Sequence, residues 1–264
     1  MKPSRMTLPF LGLIALVALP FVVELAAPGA MPERTRLWIG GLGKVLLLGL
    51  AAGLAWRNTA AFERGTTVHG GWRFLSIGLA SFFLGQAGLV VNQLAQNKAI
   101  FFPSPSDILF LLSYPLFIAA LAAFLRAYGE SGFPIGAPRG RKSLAGTITV
   151  LCILATFTVL RPVLLSSIPD VEKLLNMAYT ILDFALLVPT VLLLRITLRF
   201  PGGAVWRIWM AILGGFLFVL AGDVLFAYST AMSLGRLDPV VDVAYILGYG
   251  CLALGMAYQR ELLT

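Results

Sequence analysis

The sequence predicts an all-α integral membrane protein with eight transmembrane helices, and three of its features lead to that fold class. Hydrophobic residues make up 59% of the 264-residue chain and charged residues only 12%, against about one quarter in soluble domains. Apolar runs of about 20 residues recur along the chain, and each can cross a hydrocarbon core about 30 Å thick. The connections between the runs are short, so we expect a single membrane domain over residues 1–264.

Eight helices are predicted from these runs, and the first run needs a separate argument. It follows Lys2 and Arg5, so it could instead be a secretory signal peptide. Its apolar stretch is long for a signal, and Glu24 is an unfavourable residue just before a cleavage site. We therefore place helices at Leu8–Ala27, Leu37–Trp56, Phe74–Leu94, Asp107–Leu125, Leu144–Val163, Val171–Leu194, Val205–Tyr228 and Val240–Tyr258.

The distribution of Lys and Arg predicts that both termini lie in the cytoplasm, because short cytoplasmic connections carry an excess of these residues. With eight spans, thirteen fall on the side of the termini and six on the other side, while Lys44 lies within the second helix. The thirteen are Lys2, Arg5, Arg57, Arg64, Arg73, Arg126, Arg139, Arg141, Lys142, Arg195, Arg199, Arg207 and Arg260, and the six are Arg34, Arg36, Lys98, Arg161, Lys173 and Arg236.

Composition also excludes several classes of function. The net charge of +8 is spread over short segments beside apolar runs, which indicates membrane topology rather than nucleic-acid binding. His69 is the single histidine, so a paired-histidine haem site is excluded. Cys152 and Cys251 both lie inside apolar runs, where thiols usually act as small buried hydrophobic groups. Motifs for phosphate loops, nucleophile elbows and zinc sites are missing from the sequence. We therefore expect no cofactor and no metal.

An internal repeat relates the fourth and eighth helices. The segment Asp107-Ile-Leu-Phe-Leu-Leu-Ser-Tyr114 matches Asp242-Val-Ala-Tyr-Ile-Leu-Gly-Tyr249, with acid and tyrosine at the same spacing. Gln86 lies 21 residues before the first acid, and Asp223 lies 19 residues before the second, so the preceding helices correspond as well. We therefore predict two four-helix repeats, residues 1–126 and 144–260. An even number of spans in each makes the repeats parallel.

Polar residues inside the predicted spans collect toward the outer side of the membrane. Such residues are rare within spans and are candidates for function. Asp107 and Asp242 lie near the outer boundary, and Asp223 lies about 7 Å inside it. Carboxylates above aromatic rings on one helix face could hold a cationic, hydroxylated or amphipathic ligand. The sequence predicts an outward-facing cup, with Gln86 opposite Asp223 and ligand contacts from Asp223, Asp242, Asp107, Tyr249, Tyr114, Gln86 and Tyr245.

Each acid also has a structural interpretation. Asp107 and Asp242 could be helix N-caps or first-turn acids, which the helix dipole favours. Asp223 lies within a helix, where an unpaired charge costs at least about 2.5 kcal/mol, so it needs a partner, a proton or a ligand. Lys44 could form a buried ion pair with Asp223 or Asp183, and such a pair would be structural.

The repeated motifs resemble a known bacterial module. Pro103-Ser-Pro-Ser-Asp107-Ile-Leu-Phe-Leu-Leu-Ser-Tyr114-Pro115 and its second version, Gly222-Asp223-Val-Leu-Phe226 followed by Asp242-Val-Ala-Tyr245-Ile-Leu-Gly-Tyr249, look like the multi-helix sensory region that precedes some diguanylate cyclases and cyclic-di-GMP phosphodiesterases. The resemblance covers nearly the whole chain. It implies a sensor in the bacterial inner membrane that passes a signal to a cytoplasmic domain.

The chain departs from that pattern because no cyclase or phosphodiesterase motif follows the last helix. We expect a stand-alone sensory module that signals through a cytoplasmic partner. Membrane lipid is the other expected partner, and a homodimer is open.

A second, weaker likeness is to the eight-helix lysoplasmalogenase family, which carries acids in Gly-Asp-like settings within its spans. Here Gln86 replaces the first of those acids, which counts against a paired-carboxylate hydrolase. A lipid hydrolase and a small-solute transporter remain the alternatives to the sensor.

Overall fold

Eight long α-helices form the protein in a computed structural model, which describes residues 5–96, 102–132, 138–198 and 202–264. A single 3₁₀ turn, Gly235–Leu237, precedes the last helix. Each helix is long and apolar enough to span a membrane, as the hydrophobic runs predict. The helices are α1 Thr7–Ala26, α2 Glu33–Thr59, α3 Thr67–Gln96, α4 Ser106–Glu130, α5 Pro138–Leu165, α6 Asp170–Thr197, α7 Ala204–Met232 and α8 Asp238–Leu263.

Most of these helices extend beyond the predicted bounds. Helix α3, for example, begins at Thr67 rather than Phe74 and has 30 residues, a length of about 45 Å. The hydrophobic run marks only the part of a helix that requires an apolar solvent, whereas its hydrogen bonding continues into the interface. Of the residues used to predict orientation, Lys2, Lys98 and Arg199 lie outside the described residues.

Consecutive helices run antiparallel because their connections are too short to cross the bundle. The longest connection, residues 97–105, reaches about 30 Å at full extension. The bundle therefore has two ends. We call the end with the α1–α2, α3–α4, α5–α6 and α7–α8 connections the distal end, and the end with both chain termini the terminal end.

Six of the helices close a ring, and the other two lie outside it. Around the ring the order of contacting neighbours is α2, α3, α4, α6, α7, α8 and back to α2. Helix α1 packs on the outside against α8 and α2, and α5 packs against α6 and α7. The ring places α3 opposite α7, which carry Gln86 and Asp223.

Glycines in α3 and α7 let the neighbouring helices approach closely. A methyl group at Gly85 would lie 3.0 Å from Phe110 Cδ1, and one at Gly222 would lie 2.8 Å from Tyr245 Cε1. Gly78 and Gly215 lie seven residues before Gly85 and Gly222, and side chains of α4 and α8 pack against them in the same way. Because glycine has no Cβ, rings from α4 and α8 pack directly on these backbones.

Candidate functional site

A cavity of about 180 Å³ opens at the distal end, between the helices of the ring. Arg36 and Leu37 from the start of α2, and Phe226 near the end of α7, form part of its rim. The residues predicted as ligand contacts all line this one cavity, namely Asp223, Asp242, Asp107, Tyr249, Tyr114, Gln86 and Tyr245. The tertiary structure therefore brings together residues that are up to 163 positions apart in the chain.

Packed aromatic rings close the cavity below Tyr114 and Tyr249. Phe82 lines its lower part, and its ring centroid lies 5.6 Å from that of Tyr249 and 6.0 Å from that of Phe117. Phe117 of α4 packs against Phe216 of α7 inside the ring of helices, with 5.6 Å between the centroids of the two aromatic rings. Phe117 is 2% exposed and Phe216 is 4% exposed. The cavity is therefore a cup, with a floor at about mid-bundle depth and an apolar core beneath it.

Asp223 is held by tyrosine hydroxyl groups. Tyr245, one turn down α8 from Asp242, donates to Asp223 Oδ1 at 2.5 Å. The Tyr114 hydroxyl oxygen of α4 lies 3.3 Å from Oδ2. Both partners are neutral, and among the described residues no Lys, Arg or His nitrogen lies within 4.0 Å of this carboxylate.

Asp183 lies on the other side of the same tyrosine hydroxyl. Tyr114 Oη donates to Asp183 Oδ1 at 2.7 Å, so one hydroxyl group joins two carboxyl groups from α6 and α7. Asp183 is 2% exposed, and among the described residues its second oxygen accepts no hydrogen bond from an N–H or O–H group. The Asp183 and Asp223 side chains are close enough to hydrogen-bond to each other, which requires a proton on one of the two carboxyl groups. The two acids and Tyr114 therefore form one buried polar cluster with few donors.

Lys44 pairs with neither Asp183 nor Asp223, so the predicted ion pair is wrong. Its amino group lies 2.7 Å from Asp242 Oδ1 and 5.9 Å from the centre of the Tyr245 ring. From the sequence, only Asp183 and Asp223 were considered as partners of Lys44. Helix α2 borders α8 and not α6 or α7 in the ring, and this neighbourhood selects Asp242.

Asp107 is a first-turn acid of α4 that also contacts the cup. Its Oδ2 accepts the backbone N–H of Ser104 at 2.5 Å, which links the residues before α4 to its first turn. Its Oδ1 accepts the hydroxyl of Tyr179 from α6 at 2.6 Å. The capping interpretation does not hold for Asp242, because α8 begins four residues earlier, at Asp238.

The two rim acids are bound in equivalent ways. Asp107 and Asp242 are 135 positions apart, and so are their partners, Lys44 in α2 and Tyr179 in α6. Each acid is contacted by a helix from the other half of the chain. At the floor, Tyr114 reaches Asp223, and Tyr249 donates to Gln86 Oε1 at 3.4 Å.

Some polar atoms of the cup have no partner among the residues that the structure describes. Gln86 Nε2 and Asn176 Nδ2 are buried without a hydrogen bond, and so is the hydroxyl of Ser104. All three residues line the cavity. Two of the lining residues in α6, Asn176 and Tyr179, were not predicted. The offset of 135 from Lys44 could have identified Tyr179, but the residue types differ and hide the correspondence.

The charges in the lining are unequal. Among the described residues that line the cup, the cationic side chains are Arg36 and Lys44, and the acids are Asp107, Asp223, Asp238 and Asp242. Arg36 is paired with Glu24 at 3.1 Å, and Glu24 also accepts the backbone N–H of Gly29 at 2.9 Å. Glu24 therefore stabilises the α1–α2 connection. The described residues contain no group of three or more His, Cys, Asp or Glu that could hold a metal ion.

No family model matches the chain, and no curated protein or solved structure matches it either.

Proposed function

We propose that the protein is a membrane receptor module that binds a small ligand in the cup and passes the signal to a cytoplasmic partner. The observation that carries this proposal is the exchange of contacts at the floor. Tyr114 of the first half reaches Asp223 of the second, and Tyr249 of the second reaches Gln86 of the first. A ligand that displaces these hydroxyl groups changes contacts between the halves.

The proposal includes a topology of two parallel four-helix repeats, with both termini in the cytoplasm and the cup facing outward. The common offset of the rim pairs supports the repeat. The ring supports it too, since α2, α3 and α4 follow one another as α6, α7 and α8 do. The excess of Lys and Arg at the terminal end supports the orientation. The outer helices differ, because α1 packs on α8 whereas α5 packs on α7 rather than α4.

Helix α8 is the element best placed to carry a signal between the two ends. Asp242, Tyr245 and Tyr249 place its first half in the cup. Near its other end, Tyr258 Oη lies 3.0 Å from Thr7 Oγ1 of α1, and Asn58 of α2 donates to the Met256 carbonyl at 3.0 Å. A shift of α8 therefore alters contacts at the terminal end. A ligand must bind the two packing states with different affinity to produce such a shift.

The apolar core beneath the floor favours a receptor over a transporter. In transporters built from repeats, discontinuous helices meet at a central site that opens alternately to each side. Here each of the eight described helices is continuous, and buried aromatic rings separate the cup from the terminal end. We further propose the bacterial inner membrane as the location, with membrane lipid as surroundings and either a cytoplasmic protein or a second copy as partner.

Native mass spectrometry of gently solubilised protein tests the proposal directly. Wild type is compared with Asp223→Asn, and we expect a specific small-molecule adduct that the variant has lost. An amide occupies the equivalent position at Gln86, so the variant should fold. The matched control is Asp170→Asn, because Asp170 is exposed at the distal end, where its carboxylate lies 3.6 Å from the amino group of Lys173. Equal adducts in wild type and Asp223→Asn, or none in either, would contradict a ligand site at Asp223.

One observation favours a hydrolase as the second candidate. Comparison of the two repeats identified one acid at the floor, Asp223, because Gln86 occupies the corresponding position in the first half. In the tertiary structure a second acid, Asp183, lies near the same tyrosine hydroxyl as Asp223. Two carboxyl groups in different surroundings can act as general acid and general base. Turnover of labelled vinyl-ether lysolipids by purified wild type, lost in both Asp183→Asn and Asp223→Asn, would establish this candidate in place of the receptor.

A further inference from the structure

We infer that the ligand of the cup is a small organic cation whose ammonium group binds beside Asp223, among the tyrosines of the floor. The inference rests on the proposed function and adds the chemical class of the ligand. It follows from the charges of the lining, from the aromatic groups around Asp223 and from the unpartnered polar atoms of the cup.

The charge balance identifies the sign of the ligand. Both cationic side chains of the described lining are already paired, Arg36 with Glu24 and Lys44 with Asp242. Asp223 and, behind Tyr114, Asp183 contact tyrosine hydroxyl groups and each other, and no Lys or Arg nitrogen of the described residues lies within 4.0 Å of either acid. A buried carboxylate with neutral partners is stabilised by a cation. An anionic ligand would add a further negative charge to an acidic cup.

The aromatic lining identifies an organic cation rather than a metal ion. Tyrosine rings from three helices, Tyr114, Tyr179 and the stacked pair Tyr245 and Tyr249, line the same cavity as Asp223. Ring faces attract ammonium groups. The protein contains one example of this arrangement, because the Lys44 ammonium lies over the Tyr245 ring while it contacts Asp242. Among the described residues no three metal-ligating side chains cluster here.

The unpartnered amides indicate a second feature of the ligand. Gln86 Nε2 and Asn176 Nδ2 are donors without acceptors in the same cavity, and an unsatisfied buried donor costs about 1–3 kcal/mol. An oxygen atom on the ligand would satisfy them. The cavity of about 180 Å³ suits a compact molecule. A hydroxylated or ether-bearing ammonium compound combines these requirements.

The inference is tested with two probes of the same shape and different charge. Choline carries a quaternary ammonium and a hydroxyl, and 3,3-dimethylbutan-1-ol has carbon in place of the nitrogen. Binding to the full chain in dodecylmaltoside is measured by the rise in melting temperature with probe concentration, with sodium chloride matching the ionic strength. We expect choline to bind at least about tenfold more tightly than the neutral probe. Ethanolamine, compared with propan-1-ol, extends the test to a primary ammonium.

Variants connect the discrimination to Asp223. In Asp223→Asn we expect the charged probe to lose its advantage over the neutral probe, so that the two bind within a factor of about two. Asp170→Asn, which removes an exposed acid at the same end, should retain the full ratio. Because the readout is a ratio within each variant, a change in overall stability does not affect it.

The outcomes separate this inference from the receptor proposal. Equal binding of charged and neutral probes, no binding of either ammonium compound, or a ratio unchanged in Asp223→Asn would overturn the cation assignment. If native mass spectrometry still detects a neutral or anionic adduct that depends on Asp223, the receptor proposal survives this result. If no adduct is detected either, both fail.

The ammonium group could belong to a free solute or to a lipid headgroup, and nanodiscs distinguish the two. Choline binding is compared in discs of phosphatidylglycerol and discs of phosphatidylethanolamine. Equal affinity in the two lipids would indicate a free solute, whereas weaker binding in phosphatidylethanolamine would indicate that a headgroup competes for the cup. Either result agrees with a cation site in the cup, and the comparison identifies whether the ammonium group belongs to a free solute or to a lipid headgroup.

Discussion

At the scale of single residues, the protein relies on a few hydroxyl groups to stabilise its buried acids. Tyr114, Tyr179 and Tyr245 each donate to a carboxylate in the cup, at 2.5 to 2.7 Å. Each hydroxyl supplies one proton, whereas each ionised carboxylate can accept several hydrogen bonds. The acids are therefore held in place without being fully satisfied, a condition that favours a ligand with donors of its own.

Removal of the Tyr114 hydroxyl tests this shared arrangement. Tyr114→Phe removes the hydroxyl donor of Asp183, which keeps its contact with Asp223, and it removes one of the two tyrosine contacts of Asp223. We expect the free energy of unfolding in an SDS titration to fall by about 1–2 kcal/mol. Tyr228→Phe is the control, because Tyr228 lies 39% exposed on α7, and it should change stability little. Equal effects of the two variants would show that the shared hydroxyl contributes nothing.

The Lys44–Asp242 pair makes a separate prediction at the same scale. Lys44→Met should destabilise the protein by about 1–3 kcal/mol, because it leaves a carboxylate in the bundle without its cation. Lys44→Met combined with Asp242→Asn should recover part of that loss, since no unpaired charge remains. A double-mutant cycle measures the coupling. Additive losses would mean that the two side chains do not stabilise each other.

At the scale of helices, glycine contacts set the position of the cup tyrosines. Because Gly222 has no side chain, the Tyr245 ring lies directly against α7. In this position the Tyr245 hydroxyl donates to Asp223, the residue that follows Gly222. The α3–α4 contact at Gly85 and Phe110 is built in the same way. Phe110 has no hydroxyl, and Gln86 replaces the acid. The two interfaces therefore share their packing, but only the second carries an acid and its tyrosine donor.

Substitution of Gly222 by alanine tests whether the contact between Gly222 and Tyr245 supports both the stability of the protein and ligand binding. Gly222→Ala would place its Cβ 2.8 Å from Tyr245 Cε1, so the ring must move and its bond to Asp223 weakens. We expect a loss of about 1–3 kcal/mol in unfolding free energy, together with loss of the adduct in native mass spectrometry. Gly53→Ala, where nothing lies within 4 Å of the added methyl, should retain both. If Gly222→Ala also retains both, α7 and α8 are not held by this contact.

At the scale of the whole molecule, the ring of six helices explains why one end is open and the other closed. In the most apolar 18-residue stretch of α8, 67% of the residues are buried inside the protein. In the corresponding stretch of α5, 12% are buried. The ring therefore has a protein-covered interior, and the outer helices face lipid. The cup occupies the distal half of that interior, and large aromatic side chains fill the other half.

Cysteine labelling tests the orientation of the molecule. In a chain with Cys152 and Cys251 replaced by serine, Asp170→Cys at the distal end should react with a membrane-impermeant maleimide in intact bacterial cells. Ser131→Cys at the terminal end should react only after the cells are opened, because positive connections remain in the cytoplasm. The reverse pattern would place the cup on the cytoplasmic side and remove the receptor proposal in its present form.

The sequence by itself determined the number, order and approximate bounds of the helices, and it identified most of the acids and tyrosines that line the cup, although not Asp238 or Tyr179. These follow from local requirements, since each span must be apolar over a fixed length and each polar residue inside a span is exceptional. Depth along a helix follows from residue number alone. For that reason Asp107, Asp242 and Asp223 were correctly expected at one end of the bundle.

Only the tertiary structure decided which of these residues meet. Lys44 contacts Asp242 rather than Asp183 or Asp223, and Asp183 joins the cluster around Tyr114 although Leu48 stands 135 positions before it. Residues at equal depth on different helices become partners only when the helices are neighbours and are rotated toward each other. Helix order and rotation depend on packing across the whole bundle, such as the rings on Gly85 and Gly222, and no local pattern in the sequence encodes them.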